Sequence, residues 1–494
     1  MEQRRTLLMA DDHHVLYRSG TRRALNPPVR HAANPVLAPS EPWEVAIGWT
    51  SIYRDPTSGR YQLWYQAFAG DRAPDRRYSC VVCYAESDDG IHFTKPALYF
   101  FPFGDIQRTN IVLIGSGGHS FRYCNSVLVD ERAKDSGQRY KMAYFDWAQT
   151  ESGEYPGLCV AFSPDGIHWQ KHERAPLSKI SYGPWAEEVP FTDETSRPWA
   201  IPLSMSDGTD VFFDPLREVY AWYGKMWLDG PDGRMRWKHA MGRIESKNFI
   251  DWSAPEVVCT PDDDDAPHVE FHTTPVFYHA GLYCCLNQLL DRAAGGGVID
   301  VELMLSRDGL DWQRPFRQQF FLPRGAEGCF DSGSIFTNST PVVLDHEMRF
   351  YYGGYSQGAT SADNHQHASG VGLAVLPRDR FAGIAPLAKT DLPTQQQPLE
   401  QIGQVTLKPL ELENCKGLTI NADAQNGRVR VEVLDVQGRR LHGFSREEAV
   451  ALEGDLLAHE VRWQERTLDD LGAGEYLLRL HLENATVYAL SFLA

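Results

Sequence analysis

The chain has 494 residues, of which 42% are hydrophobic and 12% aromatic, and its formal net charge at pH 7 is −18. This composition is typical of a globular protein with a large core, and the acidic balance argues against a nucleic acid or an anionic membrane surface as partner. The apolar stretch near the N-terminus is too short for a signal peptide, and no apolar run approaches the length of a membrane span. We therefore expect a cytoplasmic protein.

The first 40 residues are rich in Arg, His and Pro and are expected to form an irregular lead-in. Beyond them, a short phrase of the type Ser-x-Asp-Gly, followed by an apolar residue, a polar residue and an aromatic, recurs in five versions. These versions are Ser87–Phe93, Ser163–Trp169, Ser246–Trp252, Ser306–Trp312 and a degenerate copy at Pro377–Phe381. The acidic side chain can bond nearby backbone N–H groups and glycine accepts positive φ, so each copy predicts a hairpin turn between the outer strands of a β-unit.

Two more landmarks lie upstream of each copy, an aromatic strand such as Tyr61–Tyr65 and, before it, a strand that often ends in an acidic turn such as Arg54-Asp55-Pro56. Three landmarks per unit and five units predict an all-β protein whose residues 41–390 form a five-bladed β-propeller. The alternative is a large β-sandwich with chance Asp-Gly turns. Residues 181–206 form a long insert between the second and third blades, which we expect to roof a pocket.

The composition changes after residue 391, where Thr394–Pro398 is typical of a linker. Short alternating strands follow, with turn signals at Asn426-Gly427 and Gln437-Gly438. This pattern predicts a small C-terminal antiparallel β-sandwich over residues 391–494. It is either a packing domain or a carbohydrate-binding module.

No cofactor is expected, although the central channel could hold a structural calcium ion. Cys80 and Cys83 spell C-x-x-C, but on a strand residues three apart point to opposite faces, so these thiols cannot share a metal. Cys80 and Cys83 are interpreted as core residues, no cysteine is assigned a functional role, and the nine cysteines agree with a reducing compartment. The four-acid run Asp262–Asp265 is interpreted as a solvated loop rather than a calcium site.

The starts of the inner strands are where a propeller would place its chemistry, because these strands line one central channel. They carry four acidic candidates, Glu44, Asp210, Glu270 and Asp331. Crowded carboxylates repel each other, so that one of them titrates at higher pH. A glycoside hydrolase needs this arrangement, with one protonated acid for the leaving oxygen and one carboxylate as base or nucleophile. Each residue alone could equally cap a turn or pair with an arginine.

The surrounding residues provide aromatic faces for sugar rings and polar groups for hydroxyls. The substrate-binding candidates are Trp43, Arg122, Asn125, Trp185, His272, His365 and His367. The aromatic members could instead belong to the propeller core. His365 and His367 have a spacing compatible with a metal, but no third ligand can be placed, and no metal site is predicted.

The repeated turns and the acidic inner-strand starts resemble those of the five-bladed propeller glycoside hydrolases, the superfamily that holds families 32, 43, 62, 68 and 117. The resemblance covers residues from about 40 to 390 and is closest to bacterial proteins related to family 32, whose appended module the C-terminal region resembles. It implies that an acidic residue of the first blade, another of the second or third, and a glutamic acid of a later blade perform the chemistry. Those roles would fall on Glu44, Asp210 and Glu270, with Asp331 as a further candidate.

The chain departs from family 32 in its motifs. The Trp-Met-Asn-Asp-Pro nucleophile motif is absent, and Trp43-Glu44 lies near its place. Arg54-Asp55-Pro56 matches the second motif in letters, but it lies in the first blade and is interpreted as a turn. The Glu-Cys-Pro motif is absent from the propeller region. Fructan specificity is therefore not expected.

The leading hypothesis is an exo-acting glycoside hydrolase on a small oligosaccharide or glycoside. In it Glu270 is the general acid, Glu44 or Asp210 the base or nucleophile, and Asp331 an orienting residue. One alternative is a glycoside phosphorylase, with Arg122, Arg197, His272 and His365 as candidate phosphate ligands. The other is a non-catalytic sugar-binding propeller. All three expect a carbohydrate partner, and the sequence does not assign an oligomeric state.

Overall fold

The computed structural model describes residues 4–118, 124–151, 153–179, 204–228, 238–294, 296–317, 319–359, 368–388, 401–413 and 415–493. The described residues are all-β, as predicted. Their only helices are 3₁₀ turns, at Gly70–Arg72, Arg76–Tyr78, Ser136–Gln138 and Leu468–Asp470. None of the described helices is long and apolar enough to cross a membrane.

Four strands precede the first repeat. They are β1 (Arg4–Leu8), β2 (Val15–Ser19), β3 (Thr21–Leu25) and β4 (Val29–Arg30). The segment expected to be an irregular lead-in therefore contains regular strands.

The repeat region contains five successive antiparallel units. The first unit comprises β5 (Ala46–Arg54), β6 (Tyr61–Phe68), β7 (Cys80–Ser87) and β8 (Ile111–Ile114). The second comprises β9 (Ser126–Val129), β10 (Tyr140–Thr150), β11 (Gly153–Ser163), β12 (Gln170–Lys171) and β13 (Ser178–Lys179). The third comprises β14 (Ser204–Met205), β15 (Val211–Asp214), β16 (Val219–Leu228), β17 (Lys238–Ser246) and β18 (Glu256–Cys259). The fourth comprises β19 (Val269–Phe271), β20 (Val276–His279), β21 (Leu282–Asp291) and β22 (Val298–Ser306), and the fifth β23 (Ser334–Phe336), β24 (Val342–Val343), β25 (Glu347–Tyr355) and β26 (Ser369–Pro377).

Each unit begins with an inner strand that pairs with a long middle strand, which in turn pairs with a third strand. In the first unit Ala46 lies opposite Phe68 at one end and Arg54 lies opposite Tyr61 at the other. We call the end at which the inner strands begin the upper end, and the opposite end the lower end. The fourth and fifth units share one sheet, because Ile299 of β22 pairs in parallel with Ser334 of β23.

The repeated turns have the predicted geometry. In the first copy Asp89 Oδ1 accepts from the backbone N–H groups of Ile91 and His92 at 2.8 Å, and Gly90 has φ of +73°. The third copy has Phe249 where the first, second and fourth have glycine, and its φ is +67°. The turn therefore keeps its shape even where a side chain must adopt a left-handed backbone.

The turns also join neighbouring units, which the sequence did not predict. In three copies the glycine carbonyl accepts a hydrogen bond from an aromatic side chain on the middle strand of the preceding unit. The donor and acceptor pairs are Trp64 Nε1 to Gly166 O at 2.6 Å, Tyr223 Oη to Gly309 O at 2.7 Å, and Tyr351 Oη to Gly90 O at 2.7 Å. The last pair joins the fifth unit to the first, so the five units close into a ring.

A cavity of about 450 Å³ lies at the lower end of this ring. Its lining takes one segment from each unit, represented by Ile52, Val127, Phe212, Phe277 and Thr340. The five inner strands therefore run side by side around one axis.

The C-terminal strands form a sheet of ten strands with three N-terminal ones. They are β27 (Ala382–Pro386), β28 (Ile402–Leu407), β29 (Leu410–Glu411), β30 (Gly417–Asp435), β31 (Leu452–Glu460), β32 (Glu475–Glu483) and β33 (Thr486–Leu493). Strand β1 pairs with β33, β2 with β28 and β3 with β27. Strand β4 instead pairs with β26 and is the outer strand of the fifth unit.

One of the two turn predictions in this region is wrong. Asn426-Gly427 lies inside the 19-residue strand β30, where the register shifts between Ala424 and Val429. Gly427 is needed there because a Cβ would lie 1.9 Å from the carbonyl oxygen of Glu483. Gln437-Gly438 is a turn, with Gly438 at φ of +80°.

The cysteines of the C-x-x-C pair lie in hydrophobic cores, and the acidic run forms a salt bridge. Cys83 packs in the core shared by the first and fifth units and Cys80 in the core shared by the first and second, which confirms that they point to opposite faces. The acidic run is less solvated than expected, because Asp265 pairs with Arg314, whose side chain is only 4% exposed. The predicted linker and residues 181–203 of the predicted insert lie outside the described residues.

Candidate active site

Each of the four predicted carboxylates has its own hydrogen-bond and salt-bridge partners among the described residues, and no two of them share one of these partners. Glu44 forms a salt bridge with Lys95, with Nζ 2.5 Å from Oε2, and accepts from the Tyr65 hydroxyl at 2.7 Å. Backbone N–H groups of Ser40 and Glu41 also bond Oε2. Glu44 therefore connects the segment before β5 to the rest of the first unit, and all of these partners lie in that segment or in that unit.

Asp331 is also a member of a structural pair. Its Oδ2 accepts from Arg30 Nε at 2.8 Å and from the Tyr352 hydroxyl at 2.9 Å. Because Arg30 belongs to β4, this partly buried salt bridge connects the N-terminal strand to the fifth unit.

Asp210 lies deep between the inner strands, where its side chain is surrounded by protein. Its Oδ1 accepts from the Ser339 backbone N–H at 3.2 Å, which connects the third unit to the fifth. Burial raises the pKa of Asp210 well above its ordinary value, and the bonds from Ser339 offset only part of this effect. Burial of a carboxyl group in this way favours its protonated form.

Glu270 lies at the upper end of the fourth unit and contacts the third. Its Oε2 lies 2.6 Å from Nδ1 of His239, a residue of β17, and 3.2 Å from Nη2 of Arg292, whose Nε bonds Oε1. Burial would raise the pKa of Glu270, but the hydrogen bonds and charges of His239 and Arg292 outweigh it and lower that pKa to about 2. Glu270 is therefore ionised, which disagrees with its predicted role as general acid.

His239 is a neutral imidazole with a defined orientation. Burial lowers its pKa to about 4, although the hydrogen bond with Glu270 acts in the opposite direction. Because an ionised carboxylate only accepts hydrogen bonds, Nδ1 carries the proton and Nε2 keeps its lone pair. Nε2 is buried and has no hydrogen-bond partner in the described part of the chain. The Trp227 ring packs against the imidazole, with centroids 3.6 Å apart and ring planes inclined by 35°.

A second buried ion pair lies next to this one and was missed in the sequence. Lys225 of β16 bonds Asp207, which precedes the inner strand β15, and their side chains are 7% and 2% exposed. The charge of Lys225 also lowers the pKa of His239, so the two pairs form one network. The sequence feature that could have indicated this pair is the lysine inside the otherwise apolar strand Val219–Leu228. A charge buried in a strand needs a partner of opposite charge.

The substrate-binding candidates have mixed outcomes. Trp43 is 1% exposed and donates to Asn110 Oδ1 at 3.1 Å, so it is a core residue and cannot stack on a ligand. The His272 ring packs against Trp49 and Phe336 between the inner strands. Asn125 is buried at the upper start of β9, and neither amide atom has a hydrogen-bond partner among the described residues. Arg122, Trp185, His365 and His367 lie outside the described residues, as does Arg197.

Comparisons with known proteins give structural neighbours only. No family model and no curated protein matches the sequence. The fold is similar to solved glycoside hydrolases. One described simply as a glycoside hydrolase has 11% identity and a TM-score of 0.47, with 72% of this chain and 92% of that chain covered. A glycosyl hydrolase from Bacteroides ovatus has 17% identity, a TM-score of 0.45 and coverages of 72% and 95%. A thermostable family-43 glycoside hydrolase has 11% identity, a TM-score of 0.42 and coverages of 73% and 94%. At such low similarity, function has to be inferred from the residues of the site.

Proposed function

We propose that the five units are the blades of a β-propeller and that the ten-stranded sheet folds as a β-sandwich. Two observations support the propeller. The bond from Tyr351 to Gly90 closes the ring, and the lower cavity takes one segment from each unit. For the sandwich, the support is a separate hydrophobic core among the C-terminal strands.

We propose that the protein is a glycoside hydrolase, exo-acting on a small oligosaccharide or glycoside, and that its chemistry lies at the upper end of the third and fourth units. The observation that carries this proposal is the Glu270–His239 pair, with a hydrogen bond at 2.6 Å and a buried imidazole nitrogen that has no partner among the described residues. A buried ionised carboxylate that orients a neutral histidine is an arrangement suited to general-base catalysis.

In this mechanism Nε2 of His239 takes a proton from a water molecule, and the oxygen of that water attacks the anomeric carbon. Glu270 holds the imidazole through Nδ1–H and stabilises the imidazolium that forms, while Arg292 keeps Glu270 ionised. The glycosidic oxygen leaves with a proton from a carboxylic acid. His239 is then the base in place of Glu44 or Asp210, and Glu270 orients it instead of acting as the acid.

The charges of the network favour hydrolysis over phosphorolysis. A phosphorylase needs free cationic groups to hold inorganic phosphate. Lys225 is paired with Asp207 and Arg292 is paired with Glu270, so within the described residues both cations of the network are already neutralised.

The test is a screen of the purified protein against aryl glycosides and oligosaccharides, with and without phosphate, together with two variants. Glu270→Gln removes the carboxylate charge beside His239. Glu432→Gln is the matched control, because Glu432 is a buried carboxylate in the C-terminal sheet with His481 Nε2 3.0 Å from its Oε2. We expect phosphate-independent release of one sugar by the wild type and by Glu432→Gln and its loss in Glu270→Gln. Turnover that requires phosphate, or binding of a sugar without turnover, would contradict the proposal.

A further inference from the structure

A second cavity lies between the fourth and fifth units, outside the network described above. Its volume is about 850 Å³, within the range of small-molecule sites. Val298 lines it and lies opposite Asp291 at the upper end of β21, and Ser332 and Gly333 line it just before the inner strand β23. The cavity therefore opens at the same end of the ring as the Glu270 network.

We infer that this cavity binds a neutral sugar unit of the substrate. The inference deepens the proposed glycosidase function and rests on it. Strands β19, β21 and β22 are consecutive neighbours in one sheet, so the cavity wall at Val298 is about 10 Å, two strand spacings, from the strand of Glu270. A sugar held there would continue a substrate whose reacting bond lies at the network.

The lining has the two parts that a sugar ring needs. Phe320 is 38% exposed and offers an apolar face to the C–H side of a ring. The wall also contains the side chains of Ser332 and Ser356, whose hydroxyl groups can bond those of a sugar.

The charges of the lining decide between a neutral and an anionic sugar. Arg324 is held by Asp300, with its backbone N–H 2.7 Å from Oδ1 and its Nε 3.0 Å from Oδ2. Glu327 adds an exposed negative charge to the wall. The three charged residues that line the cavity sum to −1, so a uronic acid would be repelled and a neutral, hydroxyl-rich ring is favoured.

The experiment measures binding on the full chain, by saturation-transfer NMR and calorimetry. The probes are the neutral disaccharides lactose, maltose, cellobiose and mannobiose, with digalacturonic acid as the anionic comparison. Phe320→Ala removes the aromatic face. Phe100→Ala is the matched control, because Phe100 is 39% exposed in the first unit and does not line the cavity. Both side chains are partly exposed, so neither change should prevent folding.

We expect at least one neutral disaccharide to bind, Phe320→Ala to weaken its binding about tenfold, Phe100→Ala to leave it unchanged, and digalacturonic acid not to bind. Glu270→Gln should keep the binding, which separates this inference from the proposed chemistry. Failure of every neutral probe to bind, or binding that Phe320→Ala does not change, would overturn the inference. Binding through Phe320 in a protein without glycosidase activity would instead contradict the proposed function alone.

Discussion

The Nδ1 atom of His239 lies 2.6 Å from Oε2 of Glu270, and this contact joins the third unit to the fourth. The contact helps to lower the pKa of Glu270 to about 2 and orients the imidazole of His239, whose own pKa burial lowers to about 4. The first prediction concerns the charge. Glu270→Gln should lower kcat at least about 100-fold, because the imidazolium loses its partner. Steady-state kinetics and a melting curve, with Glu432→Gln as control, would check this.

The outcome for Glu270→Gln is informative in either direction. Equal loss of activity in Glu270→Gln and Glu432→Gln would mean that each of these buried carboxylates is needed for folding, and that the loss does not report on catalysis. Full activity in Glu270→Gln would remove His239 as the base, because a glutamine amide can orient the ring but cannot neutralise its positive charge.

The pH dependence of stability follows from the same pair. The folded pKa of His239, about 4, lies below its ordinary 6.5, so between these values the unfolded chain binds more protons and stability rises with pH. Glu270 acts in the same direction from its ordinary 4.5 down to about 2. Acidification from pH 6.5 should therefore destabilise the protein, by about 3 kcal/mol through His239 alone. Urea unfolding across this range should show a shallower pH dependence in His239→Gln, and equal slopes in variant and wild type would refute the assignment.

Several features of this site could not have been predicted from the sequence. The positions of Glu270 and Asp210 on inner strands follow from the repeat, because the turn phrase sets the phase of every unit. The ionisation of Glu270 depends on His239 and Arg292, which lie 31 residues before it and 22 residues after it. Glu44 and Asp331 fit the same repeat position, but Lys95 and Arg30 bind them in separate parts of the fold.

The fold was predictable to a similar extent. The turn copies and their spacing predicted five β-units, since the local chemistry of Asp89 and Gly90 is written in adjacent residues. The participation of β1–β4 was missed, because strand pairing between the two ends of the chain leaves no local pattern. Val29 pairs with Val375, and only the assembled sheet shows it.

The stereochemistry of the product is a third consequence. If His239 activates water for direct attack, no covalent glycosyl-enzyme forms and the anomeric centre inverts. Glu270 is unsuited as a nucleophile because both of its oxygens are held by Arg292. ¹H NMR during the first turnover of an aryl glycoside should show the inverted anomer appearing first. Initial formation of the retained anomer, or trapping of a covalent adduct by a fluorosugar, would assign a carboxylate nucleophile instead.

The ion pair of Asp207 and Lys225 supports a fourth prediction. Removing one partner of a buried pair leaves an uncompensated charge, so Lys225→Met should destabilise the protein by about 3–5 kcal/mol. The double variant Asp207→Asn/Lys225→Met should recover most of this loss, because no charge is then left unpaired. Urea unfolding of both variants and of Asp207→Asn completes the cycle. A double variant as unstable as Lys225→Met would show that lysine packing, rather than charge pairing, stabilises this site.

The ring closure supports the last prediction. Tyr351→Phe removes the hydroxyl that bonds Gly90 O at 2.7 Å and keeps the ring packed in its buried site. Because the carbonyl then loses a buried partner, we expect destabilisation by about 1–2 kcal/mol. Tyr223→Phe removes the equivalent bond to Gly309, which joins the third unit to the fourth. Tyr99→Phe is the control, because the Tyr99 side chain is 58% exposed. If closure is cooperative, Tyr351→Phe and Tyr223→Phe should lower the unfolding midpoint similarly, with one transition. A separate early transition in Tyr351→Phe alone would show instead that the fifth unit opens before the others.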